Sequence, residues 1–409
     1  MTDKAADGLT ATSNSSPFKR LTPAMRFSGA TARAFDLADQ AYCRQHNGAD
    51  IIHLSVGDPD FDTPEAIVES AISSLKKSRT HYAPIPGEPV LRSAIASHAG
   101  ELYNQSISPE QVIVFCGAQN ALFATMACLS QAGDEVIILE PAYTTYDAAV
   151  AASSAQAVRV PLSAADGFHL DISKIEAAMT DRTRAILINS PGNPSGTIFK
   201  SSDLTDLVDL CIQRGVWLVS DEVYWSYAFD EKHCSPLSRP GGAEITFVIN
   251  SLSKSHAMTG WRLGWAIAPV AVAHQLVDLA QCMLFGVNQF VQDAAVTALT
   301  SDLPELEKFR QAFRERRDSL CAGLRSIPGL KVHTPAGGMF LLVDVSDTGL
   351  DGSEFAEQLL DSVGVSVVPG FGFGASLTDF VRIGYLSDTP ILEDAIQRIS
   401  QFVESRNQV

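Results

Sequence analysis

The stretch TFVINSLSKSHAMTGWR, residues 246–262, decides the fold. Its apolar start is typical of a buried strand. The following segment places Lys254 just beyond the predicted strand end, with Ser251 and Ser253 beside it and Arg262 further along. In mostly parallel sheets, ligands bind beyond the carboxyl ends of the strands. The stretch therefore predicts a strand of such a sheet, followed by a ligand-binding loop.

The four polar side chains of this loop suit an imine-forming phosphate cofactor. Lysine condenses with an aldehyde when its surroundings keep it partly unprotonated. Ser251, Ser253 and Arg262 could hold a phosphate dianion, the arginine through paired charge-assisted hydrogen bonds. The combination predicts pyridoxal 5′-phosphate (PLP). The alternative is a solvated lysine beside a strand end, which is the usual environment of a lysine.

Composition and charge narrow the class of protein. The 409 residues exceed one typical domain. A content of 46% hydrophobic and 19% charged residues excludes a disordered or coiled-coil chain. The net charge of −17 argues against a nucleic-acid partner, since phosphate binding needs a basic face. No apolar run is long enough to span a membrane and no signal-like segment begins the chain, so we expect a cytoplasmic protein.

The cysteines and histidines give no sign of a metal site. The seven cysteines are scattered without a CxxC pair, and the histidines lack metal-ligand spacing. We therefore expect reduced thiols, mostly in the core, and no metal.

Apolar runs alternate with helical patterns from about residue 64 to residue 300, which indicates strands buried on both faces of a mostly parallel sheet. The predicted strands are Gln111–Phe115, Glu135–Leu139, Arg184–Ile188, Trp217–Val219, Phe247–Ile249 and Gly264–Ala268.

The pattern changes after Asp302. A long charged helix is predicted over Leu303–Leu324, followed by a strand over Met339–Val343, a helix from Ser353 and a strand over Phe380–Ile383. We expect a large domain over residues 61–300 and a smaller α+β domain over residues 18–60 and 301–409. Residues 1–17, rich in small polar residues, are predicted to be a mobile tail.

Polar residues that suit a pyridine ring follow several predicted strands. Asp221 ends a hydrophobic strand, where a carboxylate is costly without a cationic partner such as a protonated pyridine nitrogen. Asn193 and Tyr224 could donate to the ring oxygen, and Tyr143 could stack on the ring. The Gly117–Asn120 turn could bring backbone N–H groups to a phosphate. The alternatives are a helix N-cap for Asp221 and a core position for Tyr143.

The glycine-rich segment Gly370–Gly374 superficially resembles a dinucleotide-binding loop. It lacks a strand-to-helix setting and an acidic residue at the required distance. We therefore do not expect a nicotinamide cofactor.

Several motifs, taken in order, resemble those of class I and II aminotransferases, PLP enzymes of fold type I similar to aspartate aminotransferase. They are Gly57-Asp58-Pro59, Tyr82 with Gly87, Gly117-Ala118-Gln119, Pro141-Ala142-Tyr143, Asn193-Pro194 with Gly196, Asp221-Glu222-Val223-Tyr224, Ser251 with Ser253-Lys254, Gly260-Trp261-Arg262, and Arg382. The resemblance covers nearly everything after residue 20. It implies an α/β fold, with a mostly parallel seven-stranded sheet in a large domain and a smaller α+β domain.

The resemblance also implies roles for these residues. Lys254 would form the imine with PLP and act as the catalytic residue, and Asp221 would bind the pyridine nitrogen. The other positions implied for the cofactor are Ala118, Gln119, Tyr143, Asn193, Tyr224, Ser251, Ser253, Arg262 and Tyr82. Tyr82 would reach the phosphate of a neighbouring subunit, so the resemblance implies a homodimer with shared active sites.

Gly57, Asn193 and Arg382 are implied to contact the substrate. Arg382 lies between two aliphatic residues, where an arginine is costly to bury without an anion. In the family the matching arginine grips the substrate α-carboxylate; an internal salt bridge is the alternative.

These implications predict an enzyme that moves the amino group of an L-amino acid to a 2-oxo acid such as pyruvate. Stretches such as Leu54–Pro64 and Asn250–Trp265 also resemble arginine–pyruvate transaminases, which makes arginine, or another basic or neutral amino acid, a candidate donor. A PLP-dependent β-lyase or synthase on the same scaffold is the alternative. A PLP-sensing transcription regulator would need an additional basic domain. The sequence does not identify the donor.

Overall fold

The computed structural model describes residues 34–406, and every structural statement below refers to that range. The predicted tail, residues 1–17, and the start of the predicted small domain, residues 18–33, lie outside the described residues.

The helices alternate with strands through most of the chain. The helices are α1 Asp36–His46, α2 Glu65–Lys76, α3 Pro89–Tyr103, α4 Ala118–Leu129, α5 Tyr146–Ala152, α6 Ile172–Ala178, α7 Ser201–Arg214, α8 Gly242–Ile245, α9 Ala273–Met283, α10 Gln289–Thr300, α11 Pro304–Arg325, α12 Gly352–Val363 and α13 Thr389–Arg406.

The strands are short. They are β1 Ile52–His53, β2 Val112–Phe115, β3 Glu135–Glu140, β4 Gln156–Pro161, β5 Thr183–Asn189, β6 Trp217–Asp221, β7 Thr246–Ser251, β8 Gly264–Ile267, β9 Lys331–His333, β10 Phe340–Asp344, β11 Val365–Ser366, β12 Val368–Pro369 and β13 Phe380–Gly384.

The main sheet has seven strands in the order β2-β8-β7-β6-β5-β3-β4. β8 runs antiparallel to both of its neighbours, and the other pairs are parallel. This confirms the predicted α/β fold with a mostly parallel seven-stranded sheet. The predictions from apolar runs missed β4. This strand lies at the sheet edge and its side chains are largely exposed or half-buried, so it has no continuous apolar run.

Helices cover both faces of the main sheet. One face packs against α4, α5 and α9. The other packs against α2, α3 and α10 at one end and against α6 and α7 at the other. The inner strands β3, β7 and β8 and the edge strand β2 are buried at every position, which explains their runs of β-branched and other apolar residues.

A second, antiparallel sheet has the order β12-β13-β10-β9. It shares a hydrophobic core with α11, α12 and α13. α12 begins with a reciprocal capping box between Asp351 and Glu354, and it ends at Gly364 in the left-handed conformation. β1 pairs in parallel with β11, so the segment before residue 60 joins the C-terminal part of the chain.

In the sequence, every strand of the main sheet precedes the predicted boundary near residue 300, and every strand of the second sheet follows it. The domain limits themselves, 61–300 and 18–60 with 301–409, stay a prediction.

All seven cysteines lie in the described range and are free thiols. Two of them, Cys211 and Cys321, are buried, whereas Cys128 and Cys234 are half-buried and the other three are exposed, so the expectation of mostly core positions is wrong. Between residues 34 and 406, no helix combines the length and apolar character needed to cross a membrane.

Candidate active site

A cavity of about 340 Å³ lies beyond the carboxyl ends of β5, β6 and β7. Its volume is within the range of small-molecule sites. Every predicted site residue except Tyr82 lines it, namely Gly57, Ala118, Gln119, Tyr143, Asn193, Asp221, Tyr224, Ser251, Ser253, Lys254, Arg262 and Arg382. The fold therefore brings together residues that are up to several hundred positions apart in the chain.

Lys254 follows β7 and its side chain lies in the cavity wall. Its Nζ donates a hydrogen bond to the backbone carbonyl of Gly57. Burial lowers the pKa of the amine from its usual value to about 8. Part of the amine is therefore unprotonated near neutral pH, as a nucleophilic lysine requires. This environment differs from that of a solvated surface lysine.

Asp221 is the last residue of β6 and its side chain is buried. Its Oδ2 accepts a hydrogen bond of 2.7 Å from the hydroxyl of Tyr146, and its Oδ1 accepts a longer one from the backbone N–H of Val223. Burial raises the pKa of the carboxyl to about 6. No Lys, Arg or His in the described chain forms an ion pair with it. A cationic ring nitrogen in the cavity would supply the missing partner.

Asp221 does not cap an α-helix, because a turn and a short 3-10 helix, Trp225–Tyr227, follow it. The N-cap alternative is therefore wrong. Tyr146 was not among the predicted site residues. It begins α5 three positions after Tyr143, and both residues line the cavity, with ring centroids 5.9 Å apart.

Two polar side chains meet at the ends of β5 and β6. Asn193 Nδ2 donates to the hydroxyl oxygen of Tyr224 at 3.5 Å. Asn189 holds this arrangement in place, since its Oδ1 accepts from the Asn193 backbone N–H at 2.7 Å and its Nδ2 donates to the Asp221 carbonyl at 2.9 Å. An amide and a phenol therefore face the cavity side by side, as a ring oxygen would require.

An anion-binding arrangement lies at the start of α4. Gly117 precedes the helix with a φ of +90°, and a Cβ there would lie 2.6 Å from Nη2 of Arg262. Glycine is therefore needed for the guanidinium to approach the helix N-terminus. Arg262 Nη1 donates to the Thr259 carbonyl at 2.7 Å, which orients the group. Ser251, at the end of β7, and Ser253 also line the cavity. A phosphate fits this set of donors.

Arg382, on β13, is almost fully buried, with 2% of its surface exposed. Its Nη1 donates to Asn193 Oδ1 at 3.0 Å, and its Nη2 donates to the Ser55 carbonyl. No carboxylate within residues 34–406 forms an ion pair with it, so the internal salt-bridge alternative is wrong for this range. Burial lowers the pKa of the guanidinium to about 10, and the group is still cationic at neutral pH. A substrate carboxylate would be a suitable counterion.

Three aromatic rings surround this guanidinium, and none was predicted as part of the site. The guanidinium carbon of Arg382 lies 3.9 Å from the ring centroid of Phe340, 4.9 Å from that of Phe373 and 5.8 Å from that of Phe35. Aromatic faces attract a cation. The rings therefore hold the charged group in place from three separate segments of the chain.

Tyr82 lies outside the cavity. Its side chain is 83% exposed, and its ring makes an edge contact with the half-exposed ring of Phe285 at 5.3 Å. Its predicted role toward a neighbouring subunit stays a prediction.

The charges of the cavity wall are unbalanced. Lys254, Arg262 and Arg382 are cationic groups, whereas Asp221 is the only carboxylate among the residues that line the cavity. With all four ionised, the wall carries three positive charges and one negative, a net +2. A phosphate and a carboxylate would offset this excess, and a cationic ring nitrogen would offset Asp221. PLP together with an amino acid meets both conditions.

The protein-family model named aminotransferase class I and II matches residues 49–399 of the sequence. The chain belongs to this family. It is 46% identical to the arginine–pyruvate transaminase of Pseudomonas aeruginosa over 92% of this chain and 95% of that protein. It is also similar to the aspartate aminotransferase of a Bacillus species, with 34% identity over 94% of this chain and 98% of that protein.

Solved structures show the same relationship. The aspartate aminotransferase of Thermus thermophilus with maleate has a TM-score of 0.88 and 33% identity, and the match covers 93% of this chain and 99% of that one. The aromatic aminotransferase of Pyrococcus horikoshii has a TM-score of 0.86 and 34% identity, and the match covers 90% of this chain and 100% of that one. The protein is therefore a PLP-dependent aminotransferase of fold type I.

Proposed function

We propose that this aminotransferase uses arginine, or another basic or neutral L-amino acid, as amino donor and a 2-oxo acid such as pyruvate as acceptor. The supporting observation is the 46% identity with an arginine–pyruvate transaminase, against 34% with an aspartate aminotransferase of similar coverage. The relatives described above are all named as transaminases or aminotransferases, so the β-lyase or synthase alternative has no support from them.

Within this proposal, Lys254 is the catalytic residue. PLP supplies a carbonyl carbon that takes up the amino group and a ring that accepts electrons from the α-carbon. Lys254 would hold the cofactor through its amine. When free, the same amine would serve as the base for the substrate α-proton and as the acid that gives this proton back. The low pKa of this amine supports the role, because a base must be unprotonated to act.

The other site residues hold the cofactor and the substrate. Asp221 keeps the ring nitrogen protonated, which maintains the ring as an electron acceptor. Asn193 and Tyr224 bind the ring oxygen and Tyr143 lies against the ring. Ala118, Gln119, Ser251, Ser253 and Arg262 bind the phosphate, and Gly57, Asn193 and Arg382 bind the substrate, with Arg382 gripping its α-carboxylate.

We further propose a homodimer with shared active sites. Tyr82 and Phe285 form an exposed aromatic pair in the single chain, which supports an interface at this surface. Tyr82 would then contact the cofactor phosphate of the second copy. A cytoplasmic location accords with seven free thiols, since reducing compartments keep cysteines unpaired.

A panel of amino donors with pyruvate or 2-oxoglutarate as acceptor tests the substrate proposal. We expect arginine to react with pyruvate and to yield its 2-oxo acid and alanine in equal amounts. The narrower resemblance to arginine–pyruvate transaminases fails as a guide to the donor if arginine and lysine are both inert while aromatic donors react. Consumption of one equivalent of 2-oxo acid per amino acid separates transfer from elimination, which needs no acceptor.

A further inference from the structure

The glycine-rich segment Gly370–Gly374 forms part of the wall around Arg382. It lies between β12 and β13 and forms a short 3-10 helix, Gly370–Phe373, rather than a strand-to-helix turn. Phe373 is fully buried, and its ring is one of the three that face the guanidinium. The geometry of this segment therefore affects the group that would grip the substrate carboxylate.

Glu140, the last residue of β3, anchors the segment. Its carboxylate is buried, and its Oε1 accepts hydrogen bonds of 2.7 Å from both the backbone N–H and the hydroxyl of Ser376. Its Oε2 pairs with Arg159 Nη1 at 3.5 Å, and the same nitrogen donates to the Phe373 carbonyl at 3.3 Å. One carboxylate thus connects β3, β4 and the segment that carries Phe373.

The backbone of the segment packs directly on this carboxylate. Gly374 has a φ of +153°, and a Cβ at this position would collide with the carboxyl carbon of Glu140. The Ala142 N–H also donates to the Phe373 carbonyl at 2.9 Å, two residues beyond Glu140. The close approach explains a glycine here without any phosphate ligand.

We propose that Glu140 is a positioning residue for the substrate α-carboxylate, acting through Ser376 and Phe373 on Arg382. The inference rests on the proposed role of Arg382. Since Arg382 has no carboxylate partner in the described range, its orientation depends on two acceptor oxygens and on the surrounding rings. Loosening the segment frees the Phe373 ring and lets the guanidinium leave the geometry that a bidentate carboxylate requires.

The test compares Glu140→Gln with Asp147→Asn. Both residues pair with Arg159, but among the described contacts only Glu140 also accepts hydrogen bonds from Ser376, two residues after the segment. Steady-state kinetics would use the best amino donor, with propanoate as a competitive inhibitor that offers only a carboxylate. We expect Glu140→Gln to raise the donor KM and the propanoate inhibition constant by about tenfold, with kcat changed by less than about twofold. Asp147→Asn is expected to change neither constant by more than about twofold.

Ser376→Ala provides a milder variant that leaves Arg159 untouched. It removes one of the two hydrogen bonds to Glu140 Oε1. We therefore expect the donor KM and the propanoate inhibition constant to rise about threefold. The dissociation constant of PLP, measured by fluorescence on the apo-protein, should be unchanged in all three variants. A purely structural role for Glu140 would instead weaken PLP binding and thermal stability while leaving the ratio of KM to kcat intact.

Arg382→Lys separates failure of this inference from failure of the proposed site. If Arg382→Lys raises KM while Glu140→Gln and Ser376→Ala do not, Glu140 has no positioning role and the carboxylate site stands. Equal effects of Glu140→Gln and Asp147→Asn would also contradict the inference. If Arg382→Lys leaves both constants unchanged, the proposed role of Arg382 is itself wrong.

Discussion

The hydroxyl of Tyr146 donates a 2.7 Å hydrogen bond to Oδ2 of Asp221. Both side chains are buried, and this bond favours the ionised carboxylate in a place where desolvation opposes it. An ionised carboxylate is what a protonated pyridine nitrogen needs as a partner. Tyr146 would therefore support the proposed contact of Asp221 with the cofactor.

Tyr146→Phe should weaken PLP binding without unfolding the protein. The substitution removes only the hydroxyl, and a hydrogen bond to a charged group contributes about 1.5–3 kcal/mol. We expect the PLP dissociation constant to rise about tenfold or more. Fluorescence titration of the apo-protein measures it. Thr145→Ser is the control, because it keeps its own hydroxyl and leaves the Asp221 contact unchanged. Equal PLP affinities of Tyr146→Phe and the unmodified enzyme would contradict a role of the Tyr146 hydroxyl in PLP binding.

Asp221→Asn should stabilise the apo-protein at neutral pH and abolish transamination. The folded carboxyl has a pKa raised to about 6, so it binds a proton more readily than the unfolded carboxyl. Its ionisation therefore costs no stability below about pH 4. The cost grows as the pH rises from about 4 to about 6 and levels off near 3 kcal/mol above that.

Urea unfolding of the two apo-proteins at pH 4.5 and pH 8 checks this. The variant should gain stability at pH 8 relative to the unmodified chain, and the difference should shrink at the lower pH. A pH-independent difference would show that Asp221 does not titrate as described.

Lys254 should attach the cofactor faster as the pH rises toward 8. The pKa of the amine is lowered to about 8, so its unprotonated fraction rises about tenfold per pH unit below that value and levels off above it. Stopped-flow absorbance of PLP added to apo-protein measures the rate. Lys254→Ala should show neither the absorbance change nor transamination. Normal turnover by Lys254→Ala would defeat the proposed mechanism.

Arg382→Ala should lower kcat/KM for α-amino acids by about a hundredfold to several thousandfold, since loss of a buried, bidentate charge partner costs about 3–5 kcal/mol. The loss should affect the amino donor and the 2-oxo acid acceptor alike, because both carry the carboxylate. PLP affinity should change little, since the phosphate donors lie elsewhere in the cavity. Half-reaction kinetics with each substrate check the prediction.

The sequence predicts the residues that end successive central strands, because a buried strand and the polar residue after it are neighbours in the chain. Asp221, Ser251 and Lys254 are of this kind. The edge strand β4 could not be predicted in this way, because its exposed side chains interrupt the apolar run.

Some side chains that meet only after folding were not predicted. Phe340, Phe373 and Phe35 come from three distant segments. The contact of Phe340 with Arg382 depends on the pairing of β10 with β13, which a single strand in the sequence does not reveal. Glu140 was likewise missed, because a glutamate at a strand end gives no local sign of the segment that it anchors. Tyr146 alone had a local signal, namely its spacing of three residues from Tyr143.

The excess of positive groups in the cavity wall has a practical consequence for handling the protein. An emptied cavity of this kind attracts any small dianion, so inorganic phosphate or sulfate in the buffer competes with the cofactor for the same donors. Reconstitution in phosphate buffer would then understate the true affinity for PLP, and a zwitterionic buffer is the better choice.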